Sequence, residues 1–430
     1  MNPPTASKPP AANRAWLRRA LPWAFYDWAN SAFAATVMSA FVPVFNKDFW
    51  SAGAPATVST YRLSVASSSA AIIVALLAPV LGAIADRGGA KKRFLGFFVA
   101  LGVLATAGLA LAGKGQWAMA LALYVCGWIG FAGANVFYDS LLVSVADEEK
   151  FDVVSALGFS LGYVGGGLLL ALNVAMSLKP EAFGLSSATV AVQLSFLTVA
   201  VWWTAFSLPL FLKVPEPRPA HPAPGAVAAV RAGLTQLVAT FHEIRRLRTV
   251  ALFLVAYWLY IDGVDTIIQM AVDYGKALGL ETGSLITALL ITQFVGFPAA
   301  LAFGKLGEKF GARAGILLAL GVYIGACVWG YRMTSMEEFY GLAIVIGLVQ
   351  GGVQSLSRSY FARLIPADKA GEFFGFYNML GKFAAILGPI LMGAVSLWTG
   401  NPRHGILAII PLFVIGGGLL WRVRPVPVAQ

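Results

Sequence analysis

Residues 82–93 read GAIADRGGAKKR, and residues 304–313 read GKLGEKFGAR. A shift of 222 positions lays one on the other: Gly82 on Gly304, Asp86 on Glu308, Arg87 on Lys309, Gly89 on Gly311 and Lys91 on Arg313. Glycine, acid, base, glycine and base recur in one order. Each stretch ends one apolar run and leads into the next, so the two occupy matching connections. A connection repeated in this way divides the chain into two related halves, as internal repeats do in polytopic membrane proteins.

The rest of the sequence agrees with that division. Of 430 residues, 58% are hydrophobic and only 12% charged, against about 25% charged in a soluble domain. A span needs about 20 mainly apolar residues. Six runs fill the first half, near 21–45, 62–85, 94–112, 117–145, 152–177 and 189–212. Six more fill the second, near 249–272, 284–304, 314–333, 339–363, 372–398 and 405–421. We therefore expect an all-α polytopic membrane protein of twelve transmembrane helices in two pseudo-symmetric six-helix bundles. The bundles cover 21–212 and 249–421, between tails at 1–20 and 422–430.

An even number of spans places both termini on one side. With that side inside, 22 Lys and Arg fall on inner segments and 7 on outer ones, Arg358 and Lys382 being left within spans. The bias sets the termini in the cytoplasm, and a bacterial inner membrane is the expected site. The net charge of +11 is thus topological, and its dispersed clusters exclude a nucleic-acid partner. The polar, Pro-rich start reads as a cytoplasmic tail leading to a retained first span. The linker 213–248 begins Pro-rich. From Ala226 it turns amphipathic, with Leu234, Leu237, Val238 and Phe241 at helical spacing, which predicts an interfacial helix.

Enzyme chemistry finds little support. Cys126 and Cys327 stand far apart in apolar runs, and His221, His242 and His404 form no ligand spacing, so neither metal nor cofactor is expected. GFYNMLGK, 375–382, has one residue too many between its glycines for a phosphate loop and lies in a span. That argues against a nucleotide-driven pump.

The repeated loop resembles the signature between the second and third helices of the major facilitator superfamily. One residue displaces its final basic cluster, so Lys91, Lys92 and Arg93 share that role. The resemblance implies a cytoplasmic gate built from Gly82, Asp86, Arg87, Gly89, Lys91, Lys92 and Arg93, and from Gly304, Glu308, Lys309, Gly311 and Arg313 in the second half. A helix cap with topogenic charges is the plainer alternative. Four further stretches resemble the vacuole-effluxer-like branch, named for a fungal vacuolar amino-acid exporter. They are YDWANSAF (26–33), FYDSLL (137–142), YIDGVDTII (260–268) and SRSYFARLIPADKAGEFFGFYNMLGKFAAILGP (357–389). Helices 1, 4, 7 and 10 of that fold line a central cavity.

Ionisable side chains within spans are costly and are functional candidates by default. They are Asp27, Asp139, Asp262, Asp265, Arg358 and Lys382. Tyr26, Asn30, Asn135, Tyr138, Gln269 and Asn378 supply neutral hydrogen bonds beside them. A shift of 235 lays span 7 on span 1: Trp258 on Trp23, Asp262 on Asp27, Asp265 on Asn30 and Thr266 on Ser31. Asp262 and Asp265 are one turn apart, and two carboxylates so close resist ionising together. We place the proton site on this pair and give Asp27 a lining or gating role. Arg358 binds an anionic group or neutralises an acid. Structural pairing is the alternative for Asp139, Arg358 and Lys382, and for Asp262 as well. GFSLGYVGGG (158–167) and GKFAAILGPILMG (381–393) supply small residues for close helix contact. The resemblance implies that helix 5 slides on helix 8, and helix 11 on helix 2.

The expected function is secondary transport of a small polar solute, such as an amino acid, by a rocker-switch monomer coupled to protons. Transport of a lysophospholipid or similar amphipathic lipid is the second reading, and a sensor without turnover the third.

Overall fold

A computed structural model describes residues 15–54, 56–88, 90–216 and 242–423, with 235 and 239. Among the described residues, twelve helices are long and apolar enough to cross a membrane. They are α1 (Trp16–Trp50), α2 (Ala56–Gly88), α3 (Lys91–Leu109), α4 (Trp117–Ser140), α5 (Phe151–Leu178), α6 (Ala188–Lys213), α7 (Arg248–Ala277), α8 (Thr282–Phe310), α9 (Ala312–Arg332), α10 (Met336–Leu364), α11 (Ala370–Thr399) and α12 (Pro402–Arg422). A lipid-embedded backbone must satisfy its own polar groups, which is why every span is helical. The amphipathic helix expected from Ala226 and both terminal tails fall largely outside the described residues.

Local chemistry sets several ends. Ser335 and Glu338 form a reciprocal capping box that starts α10. Gly311, at φ +85°, makes the turn from α8 to α9 that a side chain would strain. Two α-helical parts of α1 are each followed by wider π-helical turns, at Phe33–Phe41 and Asn46–Trp50. A short break between Leu407 and Ile410 divides α12.

The halves meet along two seams of backbone contact. On one, α2 crosses α11: a Cβ on Gly82 would enter the Gly371 carbonyl, and one on Gly375 would lie 2.7 Å from both the Ala78 carbonyl oxygen and Pro79 Cα. On the other, α5 crosses α8, where a Cβ on Gly304 would enter Ala156. Small residues at both crossings permit an approach that dispersion alone can hold in lipid. Above these crossings, toward the end away from the termini, the halves part.

Candidate functional site

The space between the halves is a central cavity of about 1190 Å³. It runs from the level of Asp27 and Arg358 to Ser39, Leu63, Leu285 and Phe339, near the helix ends far from the termini. The terminal end below is closed.

Arg358 forms the cavity floor. Its Nη1 donates to Asp139 Oδ1 at 3.1 Å, and Nη2 to Asp27 Oδ2 at 3.3 Å. Nε donates to Ser155 Oγ at 2.8 Å, and Nη2 also to the Ser155 carbonyl at 2.9 Å. Tyr138 donates to Asp27 Oδ2 at 2.7 Å, and Asn378 to Asp139 Oδ2 at 3.1 Å. Phe159 and Trp23 take the guanidinium on their faces, 4.4 and 4.9 Å from its carbon. The cluster therefore ties α1, α4 and α5 of one half to α10 and α11 of the other. A guanidinium 3% exposed survives burial because nearly every N–H has a partner. Gly158 leaves the gap through which this happens: a Cβ there would lie 2.9 Å from Tyr138 Oη and 3.0 Å from Arg358 Nη2.

Most of the sequence-derived candidates converge here. Asp27, Asn30, Asn135, Tyr138, Asp139, Asp265, Gln269, Arg358, Asn378 and Lys382 all line the cavity. Asn30 donates to Asn135 Oδ1 at 2.7 Å, joining α1 to α4 within the wall. Two candidates stand elsewhere. Tyr26 is fully buried behind the wall, its ring 4.8 Å from that of Tyr138. Asp262 does not line the cavity. It is fully buried and accepts the Gly388 backbone N–H at 2.7 Å, together with the Thr266 hydroxyl at 3.3 Å. The two acids of α7 thus part company, Asp265 facing the cavity and Asp262 facing α11.

The lining carries three carboxylates, Asp27, Asp139 and Asp265, against two cations, Arg358 and Lys382. One negative charge is left in excess when all are ionised. A bound cation or a proton balances it.

At the terminal end the repeated loops behave differently. Asp86 pairs with Lys91 at 2.7 Å and accepts the Glu372 N–H, in the first turn of α11, at 2.8 Å. Both partners of that pair are buried, and the carboxylate suits the positive end of a helix from the other half. Asp86 lies past the apolar part of α2, and burial pushes its carboxyl above the ordinary range, against the pull of Lys91. In the second loop Glu308 pairs with Lys150 across the halves, part-exposed. Lys92 donates to the Val214 carbonyl at 2.8 Å, and Arg313 to that of Val423 at 2.9 Å, so both hold ends of their own half. Lys309 lies over the Phe310 ring, 5.1 Å from its centre, and Arg93 is exposed. Gly89 and the Arg87 side chain lie outside the described residues.

A second buried lock was not among the candidates. Arg363 grips Asp152 with two hydrogen bonds, at 2.7 and 3.0 Å, and Ser359 donates to the same carboxylate. Asp152 sits in the first turn of α5, where the sequence reads as an ordinary span start. Ser155, Gly158, Phe159 and Trp23 were likewise missed as partners of Arg358. For Ser155 and Gly158 the only signal was a polar or small residue one or two turns from an acid, and Phe159 and Trp23 read as ordinary aromatics of an apolar run.

Fold and site together define a transporter of the major facilitator superfamily. The human organic anion transporter MFSD10 superposes with a TM-score of 0.73 at 16% identity, covering 96% of this chain and 100% of its own. The proton:xylose symporter XylE gives 0.70 at 14%, covering 95% of each. More narrowly, the chain belongs to the vacuole effluxer Atg22-like family, whose model matches residues 18–425. A Bacillus subtilis MFS-type transporter, YxiO, is 41% identical over 396 residues, 92% of each chain. Autophagy-related protein 22 of Yarrowia lipolytica is 28% identical over 302 residues, 63% of this chain and 50% of its own. The chain thus spans about half the length of that fungal relative.

Proposed function

We propose that the chain exports a small polar solute, an amino acid or related metabolite, by proton-coupled alternating access of the rocker-switch kind. The observation that carries this reading is the cavity between the halves, with one uncompensated negative charge among its lining groups. A proton is the smallest counter-charge and can be taken up and released in step with the substrate. Asp265 is the favoured carrier, because hydrogen bonds to Arg358, Tyr138 and Asn378 hold Asp27 and Asp139 in place, whereas Asp265 lines the cavity outside that cluster. Lys382 and Asp265 then provide one charge of each sign outside the Arg358 cluster, which suits a zwitterion.

A closed terminal end beneath a cavity that widens away from it is one end state of such a cycle. With the termini cytoplasmic, as the charge bias directs, that state faces outward from a bacterial inner membrane, and the gate loops latch its inner side. To return, the Arg358 cluster and both terminal locks must part while α2 slides on α11 and α5 on α8. A monomer contains the whole pathway.

A thermal-shift screen of purified protein against amino acids, peptides, sugars and lysolipids identifies the bound class. Amino acids should raise the melting temperature, and a rise with lysolipids alone would replace this substrate assignment. In proteoliposomes, a pH gradient should drive uptake of a labelled amino-acid mixture and lose that effect in Asp265→Asn. Gradient-driven uptake unchanged in Asp265→Asn would remove Asp265 as the carrier.

A further inference from the structure

Gly388 and Pro389 lie within α11, which stays helical from Ala370 to Thr399, on the side toward α7. Proline has no N–H to give, and its ring crowds the carbonyl four residues back, which weakens the hydrogen bonding of the turn around it. An amide freed within a membrane helix must find another acceptor or pay the cost of an unmade bond. Here the acceptor is at hand: the Gly388 N–H meets Asp262 Oδ1 at 2.7 Å. Thr266 steadies that oxygen at 3.3 Å while donating to the Asp262 carbonyl at 2.7 Å. The fit requires glycine, since a Cβ on Gly388 would enter the Thr266 hydroxyl and lie 2.7 Å from Asp262 Oδ1. Asp262 Oδ2 has no hydrogen-bond partner among the described residues, so Oδ1 takes the hydrogen bond from Gly388. About two and three turns before this point, α11 carries Lys382 and Asn378, which line the cavity, as Pro389 does.

We propose that Asp262 is a positioning residue: it caps the proline-weakened turn at Gly388–Pro389 and so fixes the direction in which α11 presents Lys382 to the cavity opposite Asp265. The carboxylate serves as an acceptor, and its charge is not required. An asparagine has the same acceptor oxygen in the same place, whereas alanine has none. Restoring the backbone N–H at position 389 removes the need for a cap.

These properties separate a cap from a proton carrier. Lys382→Cys is introduced into the full chain with Cys126→Ser and Cys327→Ala, and the rate of its reaction with a methanethiosulfonate ammonium reagent is measured in detergent. Labelling needs no substrate, so its outcome is independent of what the cavity carries. Adding Asp262→Asn should leave the rate within about twofold. Adding Asp262→Ala should change it at least about tenfold, the factor that a 1.4 kcal/mol shift in presentation gives. Asp262→Ala with Pro389→Ala should return it to the parent rate. If Asp262→Ala does not fold, the asparagine and double variants decide, by folding and labelling as the parent does. The proposal is overturned if Asp262→Asn changes the rate as much as Asp262→Ala, if Asp262→Ala has no effect, or if the double variant does not recover.

Discussion

The pairs α1/α5 and α7/α11 come from corresponding places in the two halves, yet their acids do different work. Asp27 and Asp262 correspond under the shift of 235, as do Ser31 and Thr266. On the partner helices a shift of 222 sets Gly166 on Gly388. Both hydroxyl residues press on those glycines: a Cβ on Gly166 would lie 2.9 Å from the Ser31 carbonyl, and one on Gly388 would enter the Thr266 hydroxyl. The neighbouring positions differ. Gly158 opens a gap in α5 that lets Asp27 reach Arg358 in the other half, and its counterpart in α11 is Leu380. Pro389 stands where α5 has Gly167. One acid is thus released across the interface as an ion-pair partner, and the other is kept within its half to accept a backbone N–H beside a proline. Equivalent residues in a repeat diverge when small residues beside them open or close a route.

The comparison breaks hardest at Arg358. Its replacement by Gln leaves Asp27 and Asp139 buried with a poorer partner, and removing one member of such a cluster costs about 3–5 kcal/mol. The melting temperature should fall far more for Arg358→Gln than for Asp262→Asn. Equal losses would mean that Asp262 holds a comparable charge. Next comes Gly158→Ala, which fills the gap used by Asp27 and should cost about 1–3 kcal/mol as overpacking does, read by denaturation. Unchanged stability there would mean that the Asp27–Arg358 contact does not depend on this gap.

Smaller effects separate the two repeated loops. Glu308→Gln breaks a part-exposed pair with Lys150 and should cost under about 1 kcal/mol, vanishing in high salt. Asp86→Asn disturbs a buried pair, so its effect should persist in salt. The Asp86 carboxyl is raised when latched and ordinary, near 3.9, when exposed. A site that holds its proton more tightly when latched makes the latch firmer as pH falls, and that gain is lost as pH rises through the latched-state value. Cross-linking across α2 and α11 should therefore become more efficient in mild acid in the parent and stay level in Asp86→Asn.

Sequence alone carried the fold because twelve apolar runs, a repeated loop and a charge bias are each visible without partners. Most of the pathway residues it picked out reach the cavity, since acids and amides within lipid-length runs stand out against their neighbours. It did not tell which way Asp262 turns. Helical periodicity puts Asp262 and Asp265 near one another, but about 60° of rotation separates facing the cavity from facing α11. The cue was present in the Gly388–Pro389 pair, whose freed amide needs an acceptor. Asp152 and Arg363 were hidden for another reason. They lie at helix ends, where charges are common, and only their meeting across the halves makes them a lock.

In the transport cycle proposed above, charge matters at Asp265 and not at Asp262. Asp265→Asn and Asp262→Asn, reconstituted side by side, test this through pH-gradient-driven uptake of labelled amino acids. The gradient should no longer drive uptake in Asp265→Asn and should drive it at near-parent rates in Asp262→Asn. The opposite pattern, with Asp262→Asn inactive and Asp265→Asn active, would overturn the assignment.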